Sequence, residues 1–270
     1  MITSASNQKI KQVKLLLSSA KERRLKGVFI AEGIKMFNEA PRERLKQVFV
    51  SESALKDIDV NSLSCEVETV ADDIYKKMSD TVTPQGVLCV IEQNNIAAEE
   101  FLKEHRKGNL RLLILEGIQD PGNLGTMIRT AEAAGFDAII ADKNTADVYN
   151  PKVIRSTMGS VYRVPVYYSE DLIALLDKLA AENVQLIAAH LKGTADYDKT
   201  GYLERVGVMI GNEGRGLSEI AASKASLKVR IPMCGRVESL NAAIAAALMM
   251  FEANKGSERD KANKGSERHV

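Results

Sequence analysis

LKVRIPMCGRVESLNAAIAAALMMFEA, residues Leu227 to Ala253, decides how the chain is read. It opens on a short strand (LKVRI), turns at Pro232 and Gly235, and predicts a helix from Ser239, whose hydroxyl suits the N-cap position. From Ala242 to Phe251 that helix carries no polar side chain. A helix apolar on every side must bury more than one face, in a core and against a second subunit. Upstream, GVMIGNEGRGLSEI (Gly207 to Ile220) repeats the format of apolar strand, Gly-rich turn and helix. PGNLGTMIRTAEAAGFDAII (Pro121 to Ile140) opens another helix, with Asn123 and Arg129 in its first turns.

The alternation continues outward. Strands are predicted at LRLLILEG, DAIIAD, YRVPVYY, VQLIAAH, VGVMIG and LKVRI, with helices in the intervals. Near-continuous apolar strands separated by helices imply a parallel sheet covered on both faces. Pattern alone gives a Rossmann-like doubly wound domain over residues 109–254. Residues 1–93 predict a smaller α/β domain: one basic helix over 1–27, then strands at VFIAE, LKQVFVSES and PQGVLCVIEQ with helices between them. Residues 94–108 are polar and are taken as a linker. ANKGSER occurs twice after the last helix, and residues 255–270, short, polar and charged, are expected to be disordered.

Bulk composition narrows the class. Hydrophobic residues make up 45% and charged residues 27% of 270, ordinary values for a globular protein. No apolar run reaches the ~18 residues of a membrane span, and MITSASNQKIKQVK is too polar for a secretory signal. The 3 cysteines are widely spaced and give neither a disulfide framework nor a metal site, which fits a reducing cytoplasm. Net charge is only +1, but seven Lys or Arg stand against one acid, Glu22, between Met1 and Gly27. A segment of that kind can neutralise phosphates.

Three stretches, NLGTMIRTAEAAGF, IGNEGRGLS and IPMCGRVESLNAAIAAAL, resemble the three ordered motifs of the SpoU/TrmH branch of the SPOUT RNA methyltransferases. The likeness spans Leu110 to Ala253. It implies a C-terminal α/β domain with a mostly parallel sheet, helices on both faces and a deep trefoil knot in its last strands and loops. Such knots are very rare, and no periodicity would suggest one. It also implies a small N-terminal α/β RNA-binding domain built like a ribosomal RNA-binding protein. The activity implied is methylation of a ribose 2′-hydroxyl of RNA with S-adenosylmethionine, on a homodimeric enzyme without metal. A separate N-terminal domain resembles the rRNA-directed members more than the tRNA-directed ones.

The resemblance brings Arg129 to the RNA and the reacting hydroxyl. A guanidinium is effectively never deprotonated, so phosphate binding and stabilisation of a developing 2′-oxyanion suit Arg129 better than a base role. Asn123 is open to two roles, helix cap and substrate orientation, and Glu213 either fixes the Gly-rich turn or acts directly. Ser239 and Asn241 stand at the start of the last helix, whose N-terminus suits a carboxylate or an oxyanion. By matching motif positions, Leu191, Gly193, Gly211, Ile231, Met233 and Leu240 form the cofactor pocket. His190 is read as structural, and nothing beside Cys234 suggests an activated thiolate.

Two other readings compete. A non-catalytic RNA-binding or ribosome-assembly protein of the same fold would have no need of Arg129, Glu213, Ser239 and Asn241 together. A nicotinamide-dependent oxidoreductase would need a dinucleotide fingerprint, and the G-x-x-G-x-G in GNEGRG has the wrong order.

Overall fold

The structure is a computed structural model that describes residues 1–94 and 96–266. In chain order the first half forms α1 (Gln8–Ser18), α2 (Ala20–Lys26), β1 (Val28–Glu32), α3 (Ile34–Glu39), β2 (Leu45–Ser51), β3 (Glu66–Val70), α4 (Asp72–Met78) and β4 (Val87–Glu92). Then come α5 (Ala98–Glu104), β5 (Leu110–Glu116), α6 (Pro121–Ala133), β6 (Ala138–Asp142), α7 (Pro151–Thr157), β7 (Val166–Ser169) and α8 (Leu172–Ala181). The chain closes with β8 (Gln185–Ala189), β9 (Ala195–Asp196), β10 (Arg205–Gly211), α9 (Glu219–Lys224), β11 (Leu227–Arg230) and α10 (Ala242–Ser266). Among the described residues no helix is long and apolar enough to cross a membrane.

These elements fall into two compact units. The first is Met1–Asn95 with Asp147–Tyr162, the second Ile96–Ala146 with Arg163–Val270. The first unit holds a four-stranded sheet in the order β1-β4-β2-β3, in which only the β2–β3 pair is parallel. Alternate strand residues feed two cores. Phe29, Ala31, Val87, Cys89 and Ile91 meet α3 and Ile154 of α7, while Ile30, Phe49, Leu88 and Val90 meet α1 and α4. A sheet covered on both faces makes its strands apolar throughout, which is why the sequence shows runs there rather than alternation. β3, with its exposed and half-buried glutamates, lacks that signature and is absent from the strands predicted from sequence; it pairs with β2 as an edge strand.

The single helix expected over 1–27 is two. Ser19 is extended (φ −122°), ends α1, and caps α2 by accepting from Glu22 N–H. Two of the seven cations are already committed. Arg23 is 3% exposed and bonds Leu16 O, Leu17 O and the Asp147 carboxylate, and Lys9 pairs with Glu66 and Glu68. Lys11, Lys14, Lys21, Arg24 and Lys26 remain exposed.

The second unit is an all-parallel seven-stranded sheet in the order β7-β6-β5-β10-β8-β11-β9. One face packs on α5, α8 and α9; α10 packs on α6, β10 and β8. The expected linker is therefore partly core: Ala98, Phe101 and Leu102 of α5 are buried beside Leu110 and Leu112. Polar positions outnumber these three in sequence, which hides a one-sided stripe. β8 and β9 follow one another directly, yet β11 enters the sheet between them after β10 has been laid down. That insertion is consistent with the trefoil knot.

The tail differs from expectation as well. α10 continues to Ser266 rather than ending before 255, with a Lys255–Glu252 ion pair at the junction. Residues 267–270 of the expected disordered tail lie outside the described residues. α10 is not buried all round. Ala243, Ala246, Met249 and Met250 face the chain's own core, whereas Ile244 and Phe251 are 51% and 46% exposed.

Candidate active site

The loops that follow β5, β10, β8 and β11 leave neighbouring parallel strands at their C-terminal ends, the edge where open α/β sheets bind ligands. After β10 the chain must reverse at once. Asn212 and Gly216 exchange backbone hydrogen bonds of 3.1 and 2.8 Å, and Asn212 Oδ1 accepts from the Gly214 and Arg215 N–H groups. A Cβ at Gly211 would lie 2.0 Å from Leu217 N and 2.1 Å from Gly216 C, so no other residue fits there. The Asn212 amide also donates to Gly117 O at 2.7 Å, which ties this turn to the loop after β5.

Glu213 is thereby held over the start of α6. Its carboxylate accepts from the N–H groups of Gln119 and Asp120 and from Asn123 Nδ2, each at 3.1 Å. Partial burial acts to raise its pKa, but these donors outweigh burial and hold the carboxyl below the usual carboxylate range. Asn123 Oδ1 in turn accepts from Asn241 Nδ2 at 2.9 Å. Asn241 Oδ1 accepts from Ala243 N–H at 2.8 Å and Ile244 N–H at 3.3 Å. One hydrogen-bonded chain, Glu213–Asn123–Asn241, therefore joins the three stretches singled out in the sequence.

Two capping expectations are corrected by this geometry. Asp120, not Asn123, caps α6: its Oδ1 accepts from Asn123 N–H at 2.7 Å, with Pro121 in the first turn. The Asp-Pro pair is a helix-start signature that the sequence did carry. Asn241, not Ser239, caps α10. Ser239 lies two residues before it, exposed and without a hydrogen bond among the described residues. Arg129 sits six residues beyond Asn123 on α6, roughly 9 Å further along the axis and about 120° around it. It is exposed, and no carboxylate among the described residues pairs with it.

A buried acid missed in the sequence supports the loop from below. Asp142, at the end of β6, accepts from Gly117 N–H at 2.8 Å, Thr145 Oγ1 at 2.7 Å and Asn144 Nδ2 at 2.9 Å. Thr145 Oγ1 accepts from Ile118 N–H at 3.2 Å. No motif marks an acid at the end of an apolar strand as the anchor of a loop 25 residues away.

Leu191 and Gly193 follow β8, Ile231 and Met233 follow β11, and Gly211 ends β10. β10, β8 and β11 are sheet neighbours, so these residues share the same edge. A Cβ at Gly193 would stand 2.4 Å from Val229 C and 2.6 Å from Arg230 N, so the loop after β8 lies directly on the end of β11. The His190 backbone N–H donates to Val229 O at 2.9 Å, and its Nδ1 accepts from Lys192 N–H at 3.1 Å. Leu191 is 71% and Leu240 37% exposed, while Ile231 and Met233 are half-buried. Apolar side chains open to solvent beside tightly bent backbone suit the adenosine part of S-adenosylmethionine, whose base needs flat contacts and backbone partners. Cys234 is exposed and unpaired.

Known proteins resemble this chain in sequence and fold. Residues 111–251 match the family model of the SpoU rRNA methylase family, and residues 7–89 match that of an MRM3-like substrate binding domain. The chain is 35% identical, over 93% of its length and 97% of the relative's, to the 23S rRNA (guanosine(2553)-2′-O)-methyltransferase RlmP of Bacillus subtilis (strain 168). A crystal structure of an rRNA methyltransferase from Sinorhizobium meliloti is 30% identical, with a TM-score of 0.83 over 94% of this chain and 96% of that one. The AdoMet-bound form gives 0.81 over 94% and 97%. The chain belongs to the SpoU rRNA methylase family.

Proposed function

We propose that this protein transfers a methyl group from S-adenosylmethionine to a ribose 2′-hydroxyl of RNA, and that the RNA is ribosomal. The observation that carries the reading is the Glu213–Asn123–Asn241 chain at the ends of parallel strands, with an unpaired Arg129 on the same helix as Asn123. The names of the similar proteins, one an rRNA 2′-O-methyltransferase and one an AdoMet-bound rRNA methyltransferase, supply the chemistry and the substrate class.

The bound cofactor supplies an activated sulfonium methyl, so the protein has to align the reactants and manage the hydroxyl proton. Leu191, Gly193, Gly211, Ile231, Met233 and Leu240 would hold it, the glycines through backbone proximity and the others through apolar contact. Arg129 binds RNA phosphate and stabilises the 2′-oxyanion. Asn123, Asn241 and Ser239 orient the ribose. Glu213, saturated with donors and held ionised, keeps the loop before α6 in place rather than taking the 2′-hydroxyl proton, which passes to solvent water as the methyl group leaves the sulfonium for the 2′-oxygen.

The unit that matches a substrate binding domain adds RNA affinity through Lys11, Lys14, Lys21, Arg24 and Lys26. The active form is a homodimer that covers Ile244 and Phe251, seven residues apart on one face of α10. It works in the cytoplasm with its RNA. Purified protein with labelled S-adenosylmethionine and total RNA, followed by mapping of methylated riboses with and without the gene, tests the reading. Label in tRNA alone would move the substrate class, and no label in any RNA would overturn the activity.

A further inference from the structure

We propose that the first unit carries a recess that takes one unpaired guanine base of the RNA. The recess has a volume of about 320 Å³ and opens between the loop after β2, the start of α4 and the residues before β4. Its polar lining comes chiefly from Ser51, Asp72, Lys76 and Gln85, and its walls from Tyr75 and Gly86. All of these lie within the stretch that matches a substrate binding domain. The inference rests on the reading that RNA is the substrate.

Close packing and a backbone hydrogen bond hold the walls together. Gly86 has φ +78°, and a Cβ there would lie 2.4 Å from Ala54 Cβ and 2.6 Å from Ser51 Oγ. Ser51 N–H donates to Gly86 O at 2.8 Å, which fixes the two sides of the opening to each other. Tyr75 is buried behind them.

The polar groups are arranged as acceptor beside donors. Asp72 Oδ1 accepts from Ser53 N–H at 3.1 Å and from Ser53 Oγ at 2.9 Å, which orients the carboxylate and lowers its pKa. The Ser51 hydroxyl, in the same lining, acts on the carboxylate in the same direction. Lys76 lies four residues on along α4, on the same face, where its charge helps to hold Asp72 ionised. Gln85 Oε1 accepts from Ile34 N–H at 2.9 Å, which leaves its NH₂ group as a donor.

This pattern excludes some ligands and favours one. With Asp57 also in the lining, two carboxylates face one ammonium, so a phosphate would be repelled. A planar base with both donors and an acceptor on one edge fits. Guanine offers N1–H and N2–H₂ side by side to a carboxylate and O6 to Lys76 or Gln85. Adenine, cytosine and uracil each offer a carboxylate a single donor position on that edge. Unstacked bases in single-stranded RNA are read in this way, by hydrogen bonds to the Watson–Crick edge.

The test uses the full chain and labelled RNA pentamers, U-rich with one central G, A or inosine, followed by fluorescence anisotropy at low salt. The G pentamer should bind roughly tenfold tighter than the A pentamer, with inosine, which lacks the N2 amino group, between them. Asp72→Asn and Lys76→Ala should each bring the affinity for the G pentamer down to that for the A pentamer measured with the same variant. Equal binding of G and A by the wild type, or a preference that survives either variant, would overturn the recess. Methylation of rRNA by the same preparation separates the two readings. Methylation without a guanine preference sinks the recess alone, whereas neither methylation nor binding of any pentamer sinks both.

Discussion

Asn241 Nδ2 donates to Asn123 Oδ1 at 2.9 Å, joining residues 118 positions apart, and Asn123 passes the link on to Glu213 at 3.1 Å. Each amide is used at both ends, so neither can be replaced by a group with a single function. Asn123→Asp would keep the acceptor for Asn241 but set a second carboxylate against Glu213. Stability should fall by about 1 kcal/mol, and methyl transfer should fall at least roughly tenfold. Adding Glu213→Gln should recover part of both, because a Gln amide can donate to the introduced carboxylate. Urea melts of the two single variants and the double variant would read the coupling directly. Additive losses would mean that the chain is not a functional unit.

Glu213 gives a pH dependence with a defined sign. Its folded pKa lies below the ordinary glutamate value of 4.5, so its contribution is complete above 4.5 and is lost as pH falls through the lower folded value. Glu213→Gln should therefore be less stable than the wild type at pH 7, and the gap should close under acid. A gap that stays constant from pH 7 into the acid limb would show that the backbone donors do not hold the charged form.

For Arg129, the expected loss lies in the chemical step. Arg129→Ala should abolish methylation while S-adenosylmethionine binds near normally. Arg129→Lys should keep little activity, since an ammonium cannot reproduce the planar two-pronged contact. Single-turnover methylation at saturating RNA decides the matter. A variant that regains the wild-type rate there would leave Arg129 with substrate binding alone.

Tyr75 offers a gain of stability. Its ring is buried, yet its hydroxyl has no hydrogen-bond partner among the described residues. Tyr75→Phe removes that stranded group and keeps the ring, so unfolding free energy should rise by about 1 kcal/mol. A loss of similar size in a thermal or urea melt would reveal a partner for the hydroxyl.

α10 separates fold from assembly. Ala246 is fully buried within the chain, so Ala246→Glu should cost about 3 kcal/mol or more through an unpaired buried charge. Ile244→Glu and Phe251→Glu should leave the fold intact and shift a dimer to monomer at micromolar concentration by light scattering. A monomeric wild type at that concentration would remove the dimer from the proposal.

Much of the catalytic unit was legible in the sequence because its signals are local. Apolar runs divided by helices gave the parallel α/β class. The three Gly- and Asn-bearing stretches marked Asn123, Glu213 and Asn241, all of which meet in the structure. Gly211 and Gly193 were visible as glycines, although the close backbone contact that forbids any side chain at each was not. What tertiary structure alone decided depends on long-range register. The donors that hold Glu213 ionised come from residues 90 to 94 positions earlier. α5 reads as a polar linker until its three apolar residues find the core of the second unit. Asp147–Tyr162 packs with the first unit although it lies between strands of the second. The sequence by itself determined which residues stand in the three motif stretches. Where they meet was settled by the order of strands, because a parallel sheet brings the ends of β10, β8 and β11 together whatever their spacing along the chain.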